Sequence, residues 1–132
     1  MKSPEFSEEP VPPIFIDEHG DISTFRSVPD ASRYVEPIDV QNREYSGYDS
    51  LGRLLELSTD GCSVRISLAE REPNHGKQLL AALRGFLRAC GDSVADDPSY
   101  DLPQTVSYFT RYAENPPRSL WQMLTSLFHR RS

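Results

Sequence analysis

Histidine, cysteine and clustered carboxylates are the side chains here whose chemistry could support catalysis or metal binding. His19, His75 and His129 lie in separate stretches, without the HxxH, HExxH or CxxC spacing that lets ligands converge on one zinc ion, so no metal site is expected. Cys62 and Cys90 have no neighbouring histidine and no nucleophile elbow, and each reads as a small core residue. A pairing between them stays open, with a reducing compartment the simpler reading. Ser63 and Ser67 fall at exposed strand positions, where serine is commonplace. His75-Gly76-Lys77-Gln78 shares only its Gly-Lys pair with a phosphate-binding loop, lacking the first glycine and the Ser or Thr after lysine. Asp17 with Glu18, and Glu70 with Glu72, are the right types for acid–base work, but acids beside turns are most often solvated. The densest polar run, Glu70-Arg71-Glu72-Pro73-Asn74-His75-Gly76-Lys77, links a strand to a helix and reads either as a capped loop or as a recognition edge. Catalysis is therefore not expected, and no cofactor is implied.

The elements that would position these residues follow from periodicity. Cys62, Val64, Ile66 and Leu68 alternate with Ser63, Arg65 and Ser67, the pattern of a strand with one face on a core. With the turns Asp49-Ser50-Leu51-Gly52 and Asp60-Gly61, the stretch 44–70 predicts a three-stranded antiparallel meander whose first strand runs from Glu44 to Tyr48, with Gly47 marking a bulge. Before it, Ile14–Ile16 and Ile22–Phe25 predict a hairpin around Asp17-Glu18-His19-Gly20-Asp21. Ser27 is placed to cap a short helix carrying Val28, Ala31, Tyr34 and Val35 on one face, which Pro37 stops. Ile38 to Val40 reads as an extended link into the meander.

After Pro73 and a possible cap at Asn74, Leu79, Leu80, Leu83, Phe86, Leu87 and Cys90 keep the rhythm of an amphipathic helix that Gly91 ends. Residues 92–103 read as a polar loop. Two helical patterns follow within 104–131: Val106, Phe109, Tyr112 and Ala113, then Leu120, Met123, Leu124, Leu127 and Phe128, with Trp121 beside them. They either complete the core or form an arm that docks on a partner, as in an adaptor. The fold class is thus α+β, with a small antiparallel sheet packed against a long helix and helices at the C-terminal side. One domain is expected over 13–132, preceded by a loosely held proline- and glutamate-rich tail at 1–12.

Charge points to the kind of partner. Acidic residues outnumber basic ones by 20 to 14 for a net charge of −6, which opposes binding to phosphate backbones, so nucleic acid is not an expected partner. The imbalance is concentrated in residues 1–72, with a net −8. No apolar run reaches membrane-spanning length, and the first residues lack the apolar stretch of a signal peptide. No membrane association is expected, and a cytoplasmic location follows.

The run from Ser27 to Leu57 resembles small bacterial immunity proteins of polymorphic toxin systems. Ala31, Tyr34, Glu36, Pro37, Asp39, Val40, Tyr48, Asp49, Gly52 and Arg53 carry the likeness, which covers the first α+β half alone. It implies a cytoplasmic antidote that binds a cognate toxin with a basic active-site cleft. Read with the charge distribution, it favours a non-catalytic binding protein whose partner surface is drawn from Tyr45, Tyr48, Asp49, Glu56, Asp60, Glu70 and Glu72.

Overall fold

A two-residue turn sets the first hairpin. His19 and Gly20 take φ of 54° and 94°, the doubly positive pair that matches strand twist, and the carboxylate of Asp17 accepts from the Gly20 amide at 2.7 Å. The hairpin joins β1 (Ile14–Glu18) to β2 (Asp21–Phe25). Ser27 then caps α1 (Val28–Tyr34), its hydroxyl accepting from the Asp30 amide, with proline in the first turn.

Pro37 does not simply stop the chain, because it opens a second short helix, α2 (Pro37–Gln41). Ile38 to Val40, predicted to be extended, are therefore helical. Proline tolerates the first turn, where its missing N–H has no acceptor to lose. The remaining elements are β3 (Ser46–Tyr48), β4 (Leu54–Thr59), β5 (Val64–Leu68), α3 (Gly76–Ala89) and α4 (Leu102–Glu114). The computed structural model describes residues 8–114.

The fold is α+β. Its five strands form one antiparallel sheet in the order β2-β1-β3-β4-β5, so the meander β3-β4-β5 joins the hairpin through β1 and β3. Phe15 pairs with Tyr48 and Asp17 with Ser46. Gly47 pairs regularly with Ile16 and Leu55, and no bulge forms there. A Cβ at Gly47 would lie 3.0 Å from a Leu57 methyl and 3.2 Å from the Leu55 Cβ, so the glycine serves close packing between neighbouring strands.

Side-chain alternation divides the core into two layers, one on each face of the sheet. Phe15, Ile22 and Tyr48 pack with Leu79, Leu83, Phe86 and Leu87 of α3 and Val106 and Phe109 of α4, where the Phe109 ring meets Phe15 and Phe86 edge-on. On the opposite face Ile14, Ile16, Leu55 and Ile66 pack with Ala31, Val35 and Val40 of the two short helices. Val64, Ile66 and Leu68 do share an inward face, but it is covered by the short helices and not by α3. Cys62, predicted to belong to that face, is exposed in the turn, because the Asp60 carboxylate collects the amides of Cys62 and Ser63 and β5 starts only at Val64.

At the far end of α3, Gly91 takes φ 75°. The Asp92 and Gly91 amides donate to Leu87 and Arg88 carbonyls, the paired bonds of a Schellman cap. The start of α3 has no side-chain cap from Asn74; His75 occupies the cap position. The stretch 92–103 is not a bare loop. Ser93–Asp96 makes a 3-10 turn that buries Ala95, and α4 begins at Leu102. The first predicted C-terminal helix therefore contributes Val106 and Phe109 to the core. The second, with Trp121, Met123 and Phe128, lies outside the described residues, as do residues 1–7 of the predicted tail.

Candidate functional site

Antiparallel pairing sends β1 and β4 in one direction and β3 and β5 in the other. Both hairpin tips, His19-Gly20 and Asp60-Gly61, therefore lie at the same end of the sheet. The connection from β3 to β4, residues 49–53, lies at the opposite end. These are called the hairpin end and the turn end.

At the hairpin end acids arrive from separate elements. Asp17 pairs with Ser46, and Glu56 is the next position of β4 after the Gly47–Leu55 pair, so Asp17, Ser46 and Glu56 stand in one row across three strands. Two strand spacings separate the two acids, about 10 Å. Ser46 and Glu56 are exposed, and the row lies on the sheet face of Tyr48, which feels the charge of Asp17.

On the other side of the sheet, the Tyr45 hydroxyl donates to Asp39 at 3.2 Å. Burial raises its pKa to about 12, and the charges of Asp39 and Glu18 act in the same direction. Glu44 bonds the His19 ring and, through that bond and its charge, raises the histidine above its ordinary value, with Glu18 and Asp17 adding smaller contributions. At the second tip Asp60 is exposed, and the Ser63 and Cys62 amides hold its carboxyl below the usual range. Beside it Ser58, Thr59, Asp60, Ser63 and Arg65 line an open hollow of about 250 Å³.

The turn end is built in the opposite way. Asp49 and Arg53 are both 0% exposed, and the Arg53 Nε and Nη2 donate to Asp49 Oδ2 at 2.9 and 2.7 Å. The other carboxylate oxygen accepts from the Leu51 and Arg53 amides at 3.1 and 3.0 Å. Arg53 also donates to the carbonyls of Glu9 and Arg71. A buried ion pair is tolerable only when its remaining donors and acceptors are met in this manner. Inside the turn Gly52 has φ 87°, and a Cβ there would lie 2.6 Å from the Gly76 Cα, so the turn and the start of α3 touch backbone to backbone.

Glu70 ties the same parts together. It accepts from the Leu54 amide at 2.8 Å and from the His75 ring at 2.8 Å, while the His75 amide donates to the Gly52 carbonyl. Burial alone would push the Glu70 carboxyl up, but the Leu54 amide and the His75 ring bring it below its ordinary value. Glu72 is exposed nearby.

The residues predicted for a partner surface are thus divided. Tyr45, Glu56 and Asp60 belong to the hairpin end, whereas Tyr48 is in the core. Asp49 is no surface acid, because its two oxygens are consumed by Arg53 and by backbone amides. Glu70 is engaged beside it. Asp17, Glu18, Asp39 and Glu44 join the hairpin end without having been singled out for it. No signal for that existed without knowing that β1 pairs with β3. Four of the residues that carry the resemblance, Tyr48, Asp49, Gly52 and Arg53, are buried and hold the turn.

Among the described residues no group of three or more His, Cys, Asp or Glu side chains is arranged to hold a metal ion, and no helix is long and apolar enough to cross a membrane. Comparison of the chain with protein-family models, curated proteins and solved structures gives no match.

Proposed function

We propose that the chain is a non-catalytic binding protein that engages a basic protein partner through the hairpin end of its sheet. One observation carries this reading: acids distant in sequence, Asp17, Glu18, Asp39, Glu44, Glu56 and Asp60, are brought to one end of the sheet by strand pairing and the helix before β3. An excess of acidic charge at one end, which Arg65 beside Asp60 offsets only in part, accelerates encounter with a basic cleft, and Tyr45 offers an aromatic beside the charges. Together with the resemblance in residues 27–57, this favours an antidote acting in the cytoplasm on a cognate toxin.

The test needs the product of a neighbouring toxin gene as the immobilised partner. Asp17, Glu56 and Asp60 are changed together to lysine, and association is followed at low and high salt. The on-rate is expected to fall at least tenfold at low salt and to lose most of its salt dependence. An on-rate equal to that of the unchanged chain removes the hairpin end from the interface.

A further inference from the structure

The turn end holds residues 9–11 as a receptor holds a peptide. Three of its hydrogen bonds read the main chain of this strap: Arg53 Nη2 donates to the Glu9 carbonyl at 2.9 Å, the Val11 amide donates to Asp49 Oδ2 at 3.1 Å, and the Ser50 amide donates to the Val11 carbonyl at 2.9 Å. The two side chains involved are fixed to each other, and the Asp49 carboxylate is held as well by the Leu51 and Arg53 amides. None of these bonds involves the strap, so the donors and the acceptor are already oriented before it arrives. Preorganisation of this kind lowers the ordering cost of binding. The three contacts go to groups that every residue except proline carries in full, so they place no demand on side-chain identity. This is the means by which proteins recognise extended peptides in general.

We infer that the Asp49–Arg53 turn is a binding site for an extended peptide, occupied in this chain by its own residues 9–11 and open to another extended segment when the strap withdraws. The ligand class is a main chain that presents a carbonyl, then two residues later an amide and its carbonyl. Its charge is of no account, which sets this site apart from the acidic hairpin end. The site rests on hydrogen bonds at the turn end and is independent of the function proposed above.

The test keeps every residue of the protein. A Gly-flanked protease site is inserted between Pro12 and Pro13, the folded chain is cleaved there, and a fluorescein-labelled synthetic peptide of residues 1–12 is added to the nicked protein. Labelled peptide is expected to exchange into the site saturably, to be displaced by unlabelled peptide, and not to bind the uncut chain. N-methylation of the peptide at Val11, which deletes only the N–H given to Asp49, is expected to weaken binding at least tenfold. A Val11→Ile peptide, which keeps that N–H, stays within about threefold of the unmodified peptide. Arg53→Lys in the protein, which loses the planar fork, weakens binding at least tenfold while circular dichroism reports the same fold.

Three results overturn the inference. The first is a nicked protein that releases its fragment, stays folded and takes up no peptide. The second is one that unfolds on cleavage, which makes the strap part of the fold and not a ligand. The third is equal binding to cut and uncut chains.

Discussion

The two ends of one sheet use the same residue types for opposite purposes. At the turn end every carboxylate that matters is consumed: Asp49 by Arg53 and three amides, and Glu70 by the Leu54 amide and His75. At the hairpin end the carboxylates are exposed or half-buried and take local bonds, Asp17 from the Gly20 amide, Asp39 from the Tyr45 hydroxyl and Asp60 from the Cys62 and Ser63 amides, while Asp17 and Glu56 share a row with only Ser46 between them. A buried carboxylate must be satisfied or it destabilises the fold, whereas an exposed one keeps its field available to a partner. Position in the sheet, and not residue type, decides which acids hold the protein together.

Substitutions can break or sharpen this contrast. Asp49→Ala leaves the Arg53 guanidinium buried without its counter-charge and is expected to cost about 3–5 kcal/mol, read by urea or guanidinium unfolding. Gly52→Ala comes next. It places a side chain at φ 87° and against the Gly76 backbone, so a loss of about 1–3 kcal/mol is expected from the backbone conformation, with the close approach adding to it.

Glu70→Gln is a smaller change with a pH signature. The Glu70 carboxyl lies below its ordinary value of 4.5 in the folded protein, so the stability it contributes is present above that value and is lost as pH falls through the depressed one. The wild-type melting temperature should therefore fall more steeply than that of Glu70→Gln as the pH drops below 4.5. Parallel curves would show that the Leu54 and His75 bonds contribute nothing.

Smallest of all, Glu56→Lys should change stability by no more than about 0.5 kcal/mol, and Asp17→Lys, which gives up the bond from the Gly20 amide, by no more than about 1.5 kcal/mol. If either approaches the effect of Asp49→Ala, the hairpin end is structural too and the contrast fails.

Much of this architecture was readable from local pattern. The first hairpin, whose loop at 17–21 narrows to His19-Gly20, the Ser27 cap, the alternation of Val64, Ile66 and Leu68 and the α3 stripe ending at Gly91 are all short-range signals, and all four appear in the structure. What pattern could not reveal is tertiary. The pairing of β1 with β3 bridges two helices, and together with the β3–β4 pairing and α2 it assembles the hairpin end. Asp49 looked like an ordinary turn acid because its burial depends on Val11 and, through Arg53, on Glu9 and Arg71, residues from two other parts of the chain. Asp49 and Arg53 do stand four apart around Gly52, a spacing that permits an ion pair across a tight turn, but spacing does not report burial. Cys62 misled for a local reason, since the alternation reaches back before Val64 into the turn where Asp60 captures the Cys62 and Ser63 amides.

The wiring of the turn end also bears on how the chain folds as it is made. Arg53 grips residue 9 and residue 71, and Gly52 rests on Gly76. A ribosome delivers these parts in order, so residues 9–11 emerge long before the turn that receives them, and the turn emerges before the segment that closes over it. The knot of bonds cannot be completed until the start of α3 is outside. Until residues 49–53 are outside, the bonds that hold residues 9–11 cannot form, and the first hairpin and its following helix are the parts able to take shape from neighbours already present.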